Sequence, residues 1–262
     1  MLYKNMELHN ITNLTHDSEG RLVMSRIPEH VQQKMITKEI AFQCSGVEVR
    51  FKMIDDEVTF VIEGIHDDVN LITVMNGSFK SNLKPFFSKG LNEIVITKPA
   101  NLERLKLISD EMNLPYDPEM VRVLLSATNY SPPEIIGEIE SPESLKHPEK
   151  TYLAYGSSIT SGGSANLQEF NYPALLARKL GAERLSFGFS GSAKLEKEMA
   201  DYIASLKGID YITMELGVNL SWDVANNCWG DPVKFRELVE YFVPTIAEAH
   251  KDIPIILSLI HI

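Results

Sequence analysis

Three polar clusters in the second half of the chain contain residue types that could carry out acyl transfer. They occupy residues 156–163, 188–193 and 217–220, and each follows a strand-like run. Acyl transfer needs an activated nucleophile and donors aimed at the oxyanion that develops in the transition state. Ser158 could supply the nucleophile, while backbone N–H groups at Ser158 and Gly191 and the Asn219 amide could supply three donors. Each cluster alone is typical of an ordinary turn, so the hypothesis depends on their occurrence after three successive strands.

The segment that must position these clusters alternates strands with amphipathic helices. Strand-like runs at 151–155, 184–189, 210–216 and 254–257 lie about 30 residues apart, as in repeated βαβ units. Apolar residues such as Met199, Ile203 and Leu206 recur between them at helical spacing. Ligands of an open parallel sheet bind at the carboxyl ends of its strands. The pattern therefore predicts an α/β fold whose parallel sheet brings Ser158, Gly191 and Asn219 to one edge.

The first half of the chain has a different pattern. Short β-type runs at 40–43, 47–51, 58–62, 71–75 and 94–96 are separated by turn residues, and several alternate with period two. Asn76-Gly77 is the strongest hairpin-turn signal, and a helix is expected over 102–112. These features predict an antiparallel β-sandwich. A segment rich in proline and charge ends near residue 149, which predicts an N-terminal domain at 1–148 and a second domain at 149–262.

Composition excludes several classes of function. The net charge of −11 is spread over both halves without a basic run, so nucleic acid and anionic membranes are not expected partners. No apolar stretch approaches the roughly 20 residues that cross a bilayer, and the N-terminus has no signal-like apolar core, so a soluble, cytoplasmic protein is expected. Cys44 and Cys228 lack metal-site spacing, and we expect neither a metal nor a cofactor.

The three clusters resemble the characteristic blocks of the SGNH, or GDSL, hydrolase family, particularly its two-domain members with an N-terminal β-sandwich. The Gly-Asp-Ser-Leu block matches residues 156–159, with Ser158 as nucleophile. The glycine of the second block falls on Gly191, and the Gly-x-Asn-Asp block matches residues 217–220, with Asn219 as its amide. Ser157 and Leu220 replace the two Asp residues of these blocks. Residues 26–28 and 45–51 also resemble the sandwich of these relatives.

The resemblance implies esterase or acyltransferase activity, a metal-free serine mechanism and a flavodoxin-like three-layer domain after a jelly-roll-like sandwich. The family takes its base from a late Asp-x-x-His block, which this sequence lacks. His147 is expected in the linker, His250 at a helix end and His261 after the fourth strand. We therefore expect that the parallel sheet is incomplete, that the chain stops before the domain does, that residues 257–262 are foreign sequence, and that the chain is poorly active.

Three functional interpretations follow from these observations. The first is a serine esterase that acts on a small acyl ester, such as an acylated sugar, or an acyltransferase that uses the same acyl-enzyme on Ser158. Trp222, Trp229 and Tyr130 could line its pocket. The second is a non-catalytic carbohydrate-binding protein with a degenerate hydrolase domain. A nucleotide site on the loop at 156–163 is disfavoured because this loop lacks the glycine and lysine spacing of phosphate-binding loops.

Overall fold

The computed structural model describes residues 1–163, 165, 167–220 and 231–259. The strands before residue 150 are β1 (Leu2–Tyr3), β2 (Met6–His9), β3 (Asn13–His16), β4 (Leu22–Ser25), β5 (Glu48–Met53), β6 (Glu57–Gly64), β7 (Asn70–Leu71), β8 (Thr73–Asn76), β9 (Phe79–Lys80), β10 (Phe86–Phe87), β11 (Gly90–Thr97), β12 (Met120–Leu124), β13 (Glu134–Ile136) and β14 (Ile139–Glu140). The later strands are β15 (Lys150–Gly156), β16 (Ala182–Gly188), β17 (Tyr211–Leu216) and β18 (Ile255–Leu259).

The α-helices are α1 (Glu29–Gln32), α2 (Leu102–Glu111), α3 (Ser158–Ser161), α4 (Tyr172–Leu180), α5 (Lys197–Ser205) and α6 (Pro232–Ala249). Short 3-10 helices lie at Lys38–Phe42, Pro142–Ser144 and Gln168–Phe170. None of the helices within the described ranges is long and apolar enough to span a bilayer.

The predicted antiparallel character of the first half is confirmed. One sheet has the order β1-β2-β5-β12-β8-β9, with β14 also paired to β5, and a second sheet has the order β11-β6-β13. Apolar side chains from both sheets, such as Phe51 of β5 and Phe60 of β6, belong to one buried cluster. Their period-two alternation places Val49 and Phe51 in this cluster, whereas Glu48 and Arg50 occupy the opposite face of β5.

Two local predictions in this half had different outcomes. The hairpin at Asn76-Gly77 is confirmed, because β8 and β9 pair antiparallel with Asn76 opposite Phe79. The predicted strand at 40–43 is wrong, since most of that run lies in a 3-10 helix. Ile40, Ala41 and Phe42 are all buried, and they pack against the core of the parallel sheet. A short, uninterrupted apolar run fits either structure, so its periodicity could not distinguish them.

The second half contains the predicted parallel sheet, with the order β16-β15-β17-β18. Strand β15 is buried on both faces because helices cover the two sides of the sheet. Leu153 and Tyr155 point into the larger core, to which α5 and α6 contribute. Tyr152 and Ala154 point the other way and pack with Ala177 of α4.

Strand β16 lies at the edge of this sheet, and side chains from the N-terminal region bind its free carbonyl groups. The ring Nε2 of His9 donates to the Arg184 carbonyl at 2.8 Å. The Arg26 guanidinium donates to the carbonyls of Ser186 and Gly188, each at 2.9 Å. Arg26 is fully buried, and this burial lowers its pKa to about 10. The two halves are therefore joined by hydrogen bonds that satisfy an otherwise unpaired strand edge.

A buried ion network reinforces the same junction. Arg50 donates to both carboxylate oxygens of Glu183, at 2.9 and 2.7 Å, and Arg122 donates to both oxygens of Glu48 at 2.8 Å. Arg50 also donates to Glu48, and Tyr116 donates to Glu183. Burial alone would raise the pKa of Glu48, but the two arginines hold it well below its usual value. The polar face of β5 is therefore an interface, where each charge has a partner.

Candidate active site

Ser158 lies where β15 ends and α3 begins. The strand ends at Gly156, Ser157 is the N-cap residue, and Ser158 is the first residue of the helix. As the first helical residue, Ser158 has a backbone N–H without a partner inside the helix. Its side chain is partly exposed, and its hydroxyl forms no hydrogen bond with any residue that the structure describes. Both groups are therefore available to a ligand.

A buried carboxylate holds the turn that carries this serine. The backbone N–H and the hydroxyl of Ser157 both donate to Oε2 of Glu215, each at 2.6 Å. The Thr160 hydroxyl donates to the same oxygen at 3.2 Å. Glu215, in β17, is only 2% exposed, and its Oε1 has no hydrogen-bond partner in the described part of the chain. Glu215 thus fixes both sides of the Ser158 position.

Glu215 was missed by the sequence reasoning, although the sequence carries a signal for it. It is an acidic residue inside the apolar run 211–216, which precedes the third polar cluster. Glutamate is almost never fully buried unless it is bound by donors, so its presence there indicates a partner. The sequence did not show that the partner is Ser157, which stands where the family block has Asp.

Two glycines allow close packing around the first cluster, Gly188 against the second cluster and Gly156 within the first. A Cβ on Gly188 would lie 2.3 Å from the backbone nitrogen of Ser161, a distance that real Cβ atoms do not show. One on Gly156 would lie 2.1 Å from the Thr160 hydroxyl oxygen. The Phe189 N–H also donates to the Gly156 carbonyl at 2.8 Å. The loop after β16 is therefore packed directly against the turn that carries Ser158.

Gly191 lies in the loop that follows β16. Its φ of +70° is a left-handed conformation that glycine adopts without strain. A Cβ there would meet no atom of a described residue within 4 Å, so these residues leave the space above the backbone open. The same loop continues through Ala193 and Leu195, whose φ angles of 62° and 57° are also left-handed. Such strain, in residues other than glycine, is concentrated at functional sites.

Asn219 joins the third cluster to the second. Its Nδ2 donates to the carbonyl of Ser192 at 2.5 Å, which ties it to the loop that contains Gly191. The structure thus places the three predicted residues at the carboxyl ends of β15, β16 and β17, and contacts link their loops. Within the described ranges, no hydrogen bond joins Ser158, Gly191 and Asn219 directly. Their loops are in contact, but the three residues do not bond to one another.

His250 and His147, two of the described histidines, have partners other than Ser158. His250 is buried, and its Nε2 donates to the Ile203 carbonyl at 2.9 Å. His147 lies beside the Pro148 carbonyl and 3.7 Å from Glu183, next to the start of β15. His261 lies outside the described residues. Among those that are described, no histidine hydrogen-bonds to Ser158.

Of the three aromatic residues expected at the pocket, the structure describes only Tyr130. Tyr130 is 1% exposed, its hydroxyl pairs with Ser126 at 2.6 Å, and its ring packs edge-on against Phe87. The expectation that Tyr130 lines a pocket is therefore wrong, because its ring belongs to the N-terminal core. Trp222 and Trp229 lie outside the described residues.

Comparisons with known proteins define the class of the second half. The second half of the chain is an α/β region built on a parallel sheet. Residues 149–260 of this region match the model of the GDSL-like lipase/acylhydrolase family. Over these residues the chain is similar to that family, the SGNH or GDSL hydrolases. No curated protein matches the sequence.

Three solved structures share the fold over most of the chain. A salicylyl-acyltransferase from a tetracycline biosynthetic pathway aligns with a TM-score of 0.72 at 18% identity, over 96% of this chain and 71% of its own. A candidate GDSL-like lipase from Bacteroides ovatus aligns with a TM-score of 0.59 at 18% identity, over 96% and 73%. A family two carbohydrate esterase from Clostridium thermocellum, solved with cellohexaose, aligns with a TM-score of 0.57 at 11% identity, over 97% and 77%.

Proposed function

We propose that this protein is a serine esterase that acts on a small acyl ester, such as an acylated sugar, through an acyl-enzyme on Ser158. The observation that carries the proposal is the placement of Ser158 at the start of α3, with its hydroxyl unengaged by the described residues and its turn held by Glu215. The match of residues 149–260 to an acylhydrolase family supports the same reaction class.

The proposed chemistry assigns a role to each of the three residues. The Ser158 oxygen attacks the acyl carbon, and the electron pair of the carbonyl moves onto its oxygen. The N–H groups of Ser158 and Gly191 and the Asn219 amide stabilise that oxyanion, and each such donor is typically worth about 3 kcal/mol. Collapse of the intermediate expels the alcohol, whose oxygen takes up the proton that the Ser158 hydroxyl has lost, and leaves the acyl group on Ser158. Water then releases the acid, and the mechanism requires no metal or cofactor.

Acyl transfer is the second candidate, because it shares every step up to the acyl-enzyme. An alcohol in place of water would resolve the intermediate, and one protein with this fold is a salicylyl-acyltransferase. The carbohydrate esterase with the same fold supports an acylated sugar as the substrate. We further propose that residues 1–148 form a jelly-roll-like sandwich and that residues 149–262 form a flavodoxin-like hydrolase domain.

A covalent probe tests the nucleophile directly. The chain should be labelled by a fluorophosphonate, and Ser158→Ala should abolish both labelling and the turnover of 4-nitrophenyl acetate. Ser161→Ala is the matched control, since Ser161 is buried in the same helix and its hydroxyl has no described partner. Absence of labelling in the unmodified protein would favour a non-catalytic carbohydrate-binding role. Product analysis with and without an acceptor alcohol separates transfer from hydrolysis.

A further inference from the structure

A cavity of about 450 Å³ lies between β8 and β12 of the N-terminal sheet and α4 beside the parallel sheet. Its volume is within the range of pockets that hold small molecules. Arg184, which lines its wall, is near the amino end of β16, in register with Tyr152 of β15. Ser158 follows the carboxyl end of β15. The cavity is therefore at the opposite end of the sheet from the proposed active site.

The charged groups that line this cavity are unbalanced. Arg122 is paired with Glu48, and Lys80 is paired with Glu169. The other two cations on the wall, Arg178 and Arg184, have no carboxylate within ion-pair distance among the described residues. Two positive charges thus remain without a described counterion.

Arg184 is the buried member of this pair, with 5% of its surface exposed. Its Nη1 donates to the Gln168 carbonyl and to Oδ1 of Asn171, each at 3.1 Å. Its Nε and Nη2 form no hydrogen bond to any described residue. These two nitrogens form the side of the guanidinium that binds a carboxylate or phosphate with two parallel hydrogen bonds.

The pKa shifts of Arg184 and Arg122 agree with the difference in their ion pairing. Burial lowers the pKa of Arg184, and the charge of Glu48, which acts in the opposite direction, does not outweigh it. Burial acts in the same direction on Arg122, but Glu48 outweighs it and the pKa of Arg122 is raised. A buried cation without a paired anion is costly, and a bound anion would remove that cost.

Most of the remaining wall is apolar, although Ser78 and Tyr116 also line it. Leu114, Ala174 and Ala177 line it, and Phe170, which is 52% exposed, lines it as well. We propose that this cavity binds a small amphipathic anion whose carboxylate or phosphate head is held by Arg184 and whose apolar body packs on these side chains. The site is independent of the esterase reaction.

Binding of defined probes tests the proposal. Calorimetry would compare 2-naphthoate, 2-naphthyl phosphate and the neutral 2-naphthalenemethanol on the full chain. At least one anion should bind, the neutral alcohol should bind at least tenfold more weakly, and the preferred anion distinguishes a carboxylate head from a phosphate head. Arg184→Gln should lower the affinity for the anion at least tenfold, because a charge-assisted hydrogen bond is lost. Arg104→Gln, an exposed arginine on α2, removes the same charge and should leave binding unchanged.

A second variant keeps the test decisive if Arg184→Gln does not fold. Ala174→Phe fills the cavity without removing a charge, and it should also lower the affinity for the preferred anion at least tenfold. The proposal is overturned if neither anion binds below about 10 mM, or if the neutral alcohol binds as tightly as the anions. It is also overturned if Ala174→Phe leaves the affinity for the preferred anion unchanged. The same holds if the Arg184→Gln protein folds and binds that anion as tightly as the Arg104→Gln protein.

Discussion

Ser157 places two donors, its backbone N–H and its hydroxyl, on a single carboxylate oxygen of Glu215, each at 2.6 Å. Ser157 directly follows β15 and Glu215 lies in β17, and these two parallel strands pair directly. The carboxylate therefore fixes the turn that presents Ser158, and it does so from a strand that is remote in sequence. Glu215 is a positioning residue for the proposed nucleophile.

Replacement of Glu215 should separate its contribution to stability from its contribution to the position of Ser158. Glu215→Ala would leave the two buried donors of Ser157 without an acceptor, which should cost about 3 kcal/mol of unfolding free energy. Glu215→Gln keeps one acceptor oxygen, so its cost should be about 1 kcal/mol. If Ser158 is the nucleophile, Glu215→Gln should lower kcat by about a hundredfold with little change in KM, because the serine is displaced. Urea unfolding and ester kinetics measure both effects, and an unchanged kcat would show that the carboxylate is only structural.

Gly188→Ala should disturb the turn that carries Ser158. The added methyl group would lie 2.3 Å from the backbone nitrogen of Ser161, so the backbone must shift. We expect a loss of about 3 kcal/mol in unfolding free energy. Gly181→Ala is the control: its φ of +60° is also unfavourable for alanine, but no atom lies within 4 Å of the new methyl group. It should cost only about 1 kcal/mol. Equal losses in thermal or urea unfolding would contradict the role of close packing at Gly188.

Arg26→Met should weaken the junction between the two halves. The variant removes the donor to the Gly188 carbonyl and one donor to the Ser186 carbonyl. Because these groups are buried, we expect a loss of about 3 kcal/mol in the free energy of unfolding. Arg104→Met, on the surface of α2, should change it by less than about 0.5 kcal/mol. Amide hydrogen exchange should also show faster opening along β16. Unchanged protection of β16 would contradict the idea that Arg26 stabilises this edge strand.

Stability should fall in acid partly because of Glu7. Partial burial alone would raise the pKa of Glu7, but the His9 ring and the Arg50 guanidinium outweigh it and lower that pKa to about 2. A carboxyl whose pKa is lowered in the folded state stabilises the fold above its ordinary pKa of 4.5, and this stabilisation is lost as pH falls towards about 2.

The contribution of Glu7 can be isolated with a neutral variant. Between pH 5 and pH 2.5, the unmodified protein should lose about 1–2 kcal/mol more unfolding free energy than Glu7→Gln, after allowance for the solvent exposure of Glu7. Urea titrations at the two pH values give this difference. Parallel losses in the two proteins would mean that Glu7 does not contribute.

Local patterns in the sequence determined much of the architecture. Period-two alternation predicted strands such as β5 and β6, and apolar repeats at helical spacing predicted α5 and α6. The Asn76-Gly77 turn was predicted because its preferred backbone angles depend on only two residues. These features depend on neighbours within a few positions along the chain, so the sequence alone contains the information that they need.

The tertiary structure decided which distant groups meet. The sequence predicted that Ser158, Gly191 and Asn219 would share one sheet edge, because parallel strands bring their carboxyl ends together. It did not reveal that Ser157 binds Glu215, or that Arg26 binds the carbonyls of β16. A buried polar side chain shows that it needs a partner, but many partners satisfy that need, and only the packing of strands and helices selects one of them.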